Sequence, residues 1–304
     1  MHNTVGLFII YNHRYDKNIE KIEQLYKKSF SHIFHIMPFY DGDKENVLPV
    51  YASSYQFSSY IPQAMEQLKL KNISFDHYFF LADDMILNPK VTENTYKDLF
   101  KISLEDSFIS EFVEFTKFNF YTWHGKEALT YKIKATGAEI DSFIPNKEEA
   151  LLRFKNYGIN FKNWKWYHFI PPIKVGIRPI IRLTSIWVNA FFRKGNLKLK
   201  YPLVGAFSDI VIISSKHMKT FSQYCGAFAA DGLFVEYALP TSLLLTTNRI
   251  ITLKNLEFEM GALWGKEMMQ LNKYDQNLNN LLNNFPSQYL FVHPVKLSKW
   301  NYNG

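Results

Sequence analysis

Apolar positions in the first hundred residues change period in a regular way. Residues 5 to 11 form an unbroken apolar run, as a strand does, whereas from Asp16 or Asn18 onward Ile19, Ile22, Leu25, Tyr26 and Phe30 recur at helical spacing. A second apolar run spans 32–38. A second helical period starts near Ser59 and Pro62 and carries Ile61, Ala64, Met65 and Leu68, and a third run extends from Phe75 to Ala82. Continuous apolar strands are covered on both faces and belong to parallel sheets. The alternation β-α-β-α-β therefore predicts an α/β fold with a Rossmann-like front half, in which ligands sit outside the carboxyl ends of the strands.

The middle of the chain, 100 to 200, is irregular and aromatic. Regular patterning resumes with a strand from Asp209 to Ile213, a helix near Lys216 to Cys225, and an apolar stretch from Leu233 to Leu245. A polar, Asn-rich helix over 266–285, with Leu271, Leu278, Leu281, Leu282 and Phe285 inward, precedes a last strand, Tyr289 to His293. The expected organisation is a nucleotide-binding half at 1–100, an inserted segment at 101–204, and a second half at 205–304 that joins the first in one composite domain.

Charge sharpens the view of the insert. The net charge is +7, yet from Ala150 to Ser208 there is no Asp or Glu, while eleven Lys and Arg fall there, Arg182 and Arg193 among them. The rest of the chain is left mildly acidic. The same segment is aromatic, with Trp164, Trp166 and Tyr167. After Pro179 the positions of Ile180, Leu183, Trp187 and Phe191 describe a helix whose other side is polar and basic. Such a helix either packs on its own domain or lies on an anionic membrane surface. With 47% hydrophobic and 21% charged residues the chain is neither disordered nor fibrous, and its one cysteine, Cys225, excludes a disulfide framework and a thiolate-clustered zinc site. No apolar stretch reaches membrane-spanning length, and the run at 5–11 lacks the basic flank of a signal peptide. The expected location is cytoplasmic, and peripheral on the inner face of the cytoplasmic membrane if the basic helix takes the second of these two roles.

Candidate chemistry clusters where strands end. Tyr78-Phe79-Phe80-Leu81-Ala82-Asp83-Asp84 is an apolar strand stopped by two carboxylates, an arrangement that needs solvent or a hard cation to be tolerated. The first strand ends in Asn12, His13 and Arg14, where Asn12 and Arg14 could meet a base or a diphosphate, and the second is followed by Asp41-Gly42-Asp43, either a tight turn or a nucleotide contact through Asp41. No Gly-rich loop follows the first strand, which argues against dinucleotide oxidoreductases. Near the carboxyl end His293, Lys296 and Lys299 bring an imidazole and two cations together. Asp209 opens a strand, and Asp231 and Glu236 sit at the edge of and within an apolar run. There burial would raise a carboxylate toward the range of a general base, although a buried, paired Glu236 is an equal reading. Trp123, before His124 and Gly125, could present a sugar-stacking face or pack in a core.

The strand ending in Asp83-Asp84 resembles the DxD-type motif of glycosyltransferases with the GT-A fold. The resemblance implies a GT-A type mixed sheet flanked by helices, and Mn²⁺ or Mg²⁺ held by Asp84 on the diphosphate of a UDP- or GDP-sugar. Asp83 would touch the ribose or donor sugar. His293-Pro294-Val295-Lys296-Leu297-Ser298-Lys299 is similar to the terminal motif of glycogenin-like enzymes, which implies His293 as a second metal ligand and Lys299 on the diphosphate; the sequence departs from that motif at Lys296 and Trp300. The function implied is sugar transfer to a hydroxyl of a glycan or lipid-linked oligosaccharide in the making of a bacterial cell-surface polysaccharide, with Glu236, Asp209 or Asp231 as base. Two alternatives stay open: a sugar nucleotidyltransferase on the same half-fold, and a basic, aromatic protein binding single-stranded nucleic acid. The acidic remainder of the chain speaks against a nucleic-acid partner, and Asp83 and Asp84 are too close in sequence to face each other across a glycosidic bond as in a hydrolase.

Overall fold

A computed structural model describes residues 4–114, 131, 142–161, 181, 184, 188 and 200–302. Trp123 and most of the basic segment, Arg182 and Arg193 included, lie outside these residues. Ile181, Thr184 and Val188 are helical and exposed, within the helix that the periodicity after Pro179 predicts.

The chain divides into two compact units. The first comprises Met1–Glu111, Phe207–Lys219 and Arg249–Gly304, and the second Phe112–Ala206 and Thr220–Asn248. The first unit holds a mixed seven-stranded sheet of α/β type. In chain order its leading elements are β1 (Val5–Ile10), α1 (Asp16–Tyr26), β2 (Ile33–Pro38), β3 (Val47–Val50), α2 (Tyr60–Leu70), β4 (His77–Ala82) and the two-residue β5 (Ile86–Leu87). They are followed by β6 (Ser107–Ile109), β7 (Ile210–Ser214), β8 (Ile250–Ile251), β9 (Glu259–Ala262) and β10 (Tyr289–His293). The main sheet runs β3-β2-β1-β4-β7-β6-β8, and β5-β10-β9 form a second, three-stranded sheet. β1 pairs in parallel with both β2 and β4, while β7 runs antiparallel to β4.

Every residue of β1 and β4 is buried, as the continuous apolar runs require. Phe8 lies within 6 Å of the rings of Phe34, Phe75, Tyr78 and Phe80, an aromatic layer on one face of the sheet. Full burial of one such ring contributes about 1.5–3 kcal/mol, so this layer is a main anchor of the central strands. On the helix side α1 buries Asn18, Ile19, Ile22 and Tyr26.

The structure adds β3, β5, β6, β8 and β9 to the strands the sequence pattern predicts, and it divides one expected helix. β3, absent from the expected alternation, is four residues long and contains Pro49, which a sheet accepts on an edge strand because no hydrogen-bonded neighbour needs its missing N–H. The single helix expected over 266–285 is broken into a 3₁₀ helix, Gly265–Tyr274, and an α-helix, Leu278–Asn283. Asp275 and Gln276 adopt left-handed φ of 53° and 51°, and the Asn277 side chain accepts from the N–H groups of Asn279 and Asn280 to start the second piece. In the second unit, helix Lys147–Asn156 opens with a capping box between Asn146 and Glu149, and the apolar stretch 233–245 forms helix Val235–Thr246.

A buried histidine gives the first unit a pH-dependent stability. His35 on β2 is fully buried, with Nδ1 2.9 Å from the Tyr11 hydroxyl and Nε2 3.5 Å from Glu23 Oε1. Burial pulls its pKa below the ordinary imidazole value, more than the Glu23 charge raises it. The native state thus resists the proton that the unfolded chain accepts at about pH 6.5, and stability falls as pH drops below that value, by at most about 1.4 kcal/mol per pH unit. Urea midpoints between pH 7 and pH 5 should decline less steeply in His35→Gln than in the wild type; equal slopes would remove His35 as the cause.

Candidate functional site

The chain passes from β1 to β2 and β3 on one side of the sheet and returns to β4 on the other, so connections leave β1 and β4 in opposite directions. At such a switch point the carboxyl ends of the two strands open a crevice. A cavity of about 300 Å³ lies there. Asn12 and His13 line it from the end of β1, Tyr15 and Asn18 from the start of α1, Asp83 and Asp84 from the end of β4, and Lys296, Leu297 and Ser298 from the C-terminal segment.

Each wall has a local cause. The Asp83 N–H donates to the Ile10 carbonyl at 3.0 Å, extending the β1–β4 ladder by one residue and fixing where the acidic pair begins. Because β7 is antiparallel to β4, its start lies beside the end of β4, and the Ala82 N–H donates to the Asp209 carbonyl at 2.9 Å. Beyond Asp84, β5 pairs with β10, Leu87 opposite Phe291 and Ile86 opposite Val292, so the end of β10 arrives next to Asp84. The Val295 N–H closes the arrangement on the Asp84 carbonyl at 2.6 Å. The turn that follows is held by Lys21 of α1, whose ammonium donates to the carbonyls of Leu297 and Trp300 at 2.6 and 2.7 Å.

Three side chains from three separate parts of the sequence meet beside the cavity. His293 Nε2 is 3.2 Å from Asp84 Oδ1 and 3.6 Å from Asp209 Oδ2; the imidazole is buried, whereas each carboxylate side chain keeps 26% of its surface exposed. Burial lowers the affinity of His293 for a proton, but the Asp84 hydrogen bond and the charges of Asp84, Asp209 and Asp83 outweigh it, and its pKa is raised. Its Nδ1 is buried without a hydrogen-bond partner among the described residues. Burial, with Asp84 nearby, pushes Asp83 up to about 7 against the hydrogen bond from Asn18. Burial likewise pushes Asp209 up to about 6, opposed by His293 and reinforced by Asp84. Three acids thus share one imidazole, a crowding of negative charge that a cation or a proton relieves. Among the described residues no three His, Cys, Asp or Glu side chains form a ready-made metal site; in this trio the donors lean on one another instead.

The remaining candidates are placed as follows. Lys296 lines the cavity, while Lys299 is exposed at the end of the 3₁₀ turn Leu297–Lys299. Arg14 is engaged by acids of its own neighbourhood, with Nη2 2.8 Å from Asp16 Oδ2 and 2.6 Å from Asp41 Oδ1, and it holds both carboxyls below their usual range. Gly42 lies against Tyr40, where a Cβ would run into the phenol, which gives the glycine of Asp41-Gly42-Asp43 a packing reason. Asp231 and Glu236 belong to the second unit. Asp231 is buried and accepts from the Tyr131 hydroxyl at 2.9 Å, and Glu236, in the first turn of helix Val235–Thr246, is half-buried. Sequence reasoning missed Asn18 and Lys21 as parts of the site. Asn18 read as a helix start, and its signal was a buried polar residue on the apolar side of α1.

These features define an α/β protein with a mixed sheet and an acidic, histidine-containing cluster at the sheet's switch point. No protein-family model matches the chain, and comparison with curated proteins finds no significant relative. Among the described residues no helix is long and apolar enough to cross a membrane.

Proposed function

We propose that the protein is a metal-dependent glycosyltransferase of GT-A type, transferring a sugar from a UDP- or GDP-sugar to a hydroxyl of a glycan acceptor. One observation carries the reading: Asp83, Asp84, Asp209, His293 and Lys296, widely separated in sequence, converge on the crevice at the carboxyl ends of β1 and β4. The donor set suits Mn²⁺ or Mg²⁺. The two carboxylates are the oxygen ligands such ions prefer, the imidazole nitrogen is better matched to Mn²⁺ than to the harder Mg²⁺, and donor atoms bound at about 2.1 Å lie about 3 Å apart in an octahedral shell. The separations of 3.2 and 3.6 Å are close to that spacing, so a cation could take the place of the proton between His293 and Asp84 with small side-chain movement. Asp84 and His293 would hold it, with Asp209 closing the set. Bound there, the cation would neutralise a diphosphate leaving group as a Lewis acid.

The chain's own groups would do the rest. Lys296 offers its ammonium to the diphosphate, Asn12 offers a donor and an acceptor to the nucleoside, and Asp83, oriented by Asn18, accepts from sugar or ribose hydroxyls. The cationic segment after Ala150 suits an anionic or lipid-linked acceptor, on the count of its charges. Thermal-shift screening provides the test. UDP or GDP together with Mn²⁺ should raise the melting temperature by about 4 °C at a hundredfold excess over the dissociation constant, with no comparable rise from the nucleotide in EDTA. A rise independent of metal, or none with any nucleotide, would overturn the reading.

A further inference from the structure

His293 is flanked by two aromatic rings that face very different surroundings. Phe207 packs against it at 5.3 Å and stacks on Phe291 at 5.5 Å, on the core side. Trp264 meets the imidazole edge-to-face at 5.6 Å and leaves 61% of its own surface exposed. The backbone on either side of this exposed ring is anchored. The Leu263 N–H donates to the His293 carbonyl at 2.8 Å, and the Trp264 N–H donates to Glu267 Oε2 at 3.2 Å. β9 ends two residues earlier and runs parallel to β10, so Trp264 and His293 leave their strands at the same edge. An open indole therefore packs on the imidazole whose Nε2 approaches two partly buried carboxylates, Asp84 and Asp209.

We propose that Trp264 is the stacking face of a pyranose-binding subsite whose hydroxyl acceptors are the oxygens of Asp84 and Asp209 that a cation beside His293 would leave free. The ligand chemistry follows from the neighbours. A sugar ring has one face of C–H groups, which an indole covers, and a rim of hydroxyls, which carboxylates accept. A purely apolar ligand would strip water from the carboxylates without replacing its hydrogen bonds, and an isolated anion would be repelled. A quaternary ammonium would be drawn to the indole and the acids alike, but such ligands are held by cages of several aromatic faces. The inference rests on the proposed transferase reading for the source of the ring, donor sugar or acceptor glycan; the stacking itself rests on Trp264.

The test follows the indole N–H resonance of Trp264, assigned by its loss in Trp264→Phe, during titration with methyl glycosides of gluco, galacto, manno and N-acetylglucosamine configuration and with tetramethylammonium chloride. Calorimetry with UDP, GDP and their sugars in Mn²⁺ accompanies it. At least one glycoside or nucleotide sugar should shift the resonance. Trp264→Ala should weaken that ligand by about tenfold or more, Trp264→Phe should restore part of the loss, and UDP and GDP should lose clearly less affinity than the sugar ligand does. Sensitivity confined to nucleotide sugars assigns the ring to the donor, and sensitivity of free glycosides assigns it to the acceptor. If no nucleotide binds while a glycoside still depends on Trp264, the transferase reading falls and the sugar subsite stands. A shift with tetramethylammonium alone, or sugar binding indifferent to Trp264→Ala, would overturn the proposal.

Discussion

Asp84→Ala is expected to fold normally and to lose metal-dependent nucleotide binding, with turnover reduced by at least a hundredfold, about 2.7 kcal/mol of transition-state stabilisation. The fold survives because the contact Asp84 makes for the architecture is through its backbone, whose carbonyl accepts from Val295, and alanine keeps it. Deleting one of three crowded carboxylates also relieves the repulsion that raises Asp83 and Asp209. The loss would come from the side chain alone, which approaches His293 Nε2 at 3.2 Å. Asp84→Asn keeps the shape but not the charge, and should behave like alanine toward the metal. An Asp84→Ala protein with wild-type unfolding and more than a tenth of the wild-type turnover would take Asp84 out of the chemistry.

Gly261→Ala is expected to damage stability and site together. Gly261 on β9 sits opposite Val292 of β10, beside an irregularity in the pairing, and a Cβ there would run into the carbonyl oxygen of Phe291. Backbone cannot swing aside as the end of a side chain does, so β9 must move away from β10. The cost should be about 2 kcal/mol or more in urea unfolding. Since the next residue pair, Ala262 and His293, continues the same ladder, and Leu263 bonds the His293 carbonyl, metal-dependent nucleotide affinity should fall as well. Gly6→Ala is the control: its Cβ would meet the rings of Phe75 and Phe8 on the aromatic layer, and it should lower stability while leaving affinity per folded molecule intact. Wild-type stability and affinity in Gly261→Ala would show that β9 and β10 tolerate separation.

These residues also show what the sequence could and could not reveal. β1 and β4 were legible because strands buried on both faces must be apolar throughout, and the Asp83-Asp84 pair stood out because it ends such a run abruptly. His293 was legible as the last residue of an apolar strand. Its pairing with Asp84 and Asp209 was not, because it depends on two-residue β5 catching β10 some two hundred positions later, and so short a strand leaves no period to read. Lys21 looked like any solvated helix lysine until the C-terminal turn supplied the two carbonyls it holds. β3 was hidden by Pro49, and the break at Asp275 and Gln276 by the lack of Gly or Pro there, although Asp275 and Asn277 are residues that favour a turn and a helix cap. Trp264 gave no sign at all, since composition does not distinguish a tryptophan on the surface from one in the core.

The most direct measurement is calorimetric titration of UDP and GDP into the purified protein, once with Mn²⁺ and once with EDTA, repeated on Asp84→Ala and His293→Ala. One nucleotide should bind the wild type at a single site with Mn²⁺, lose at least tenfold in affinity in EDTA, and show no metal-dependent gain in either variant. Nucleotide binding of equal strength with and without metal, or a metal-dependent gain that survives both substitutions, would contradict a nucleotide-diphosphate site built on Asp84 and His293.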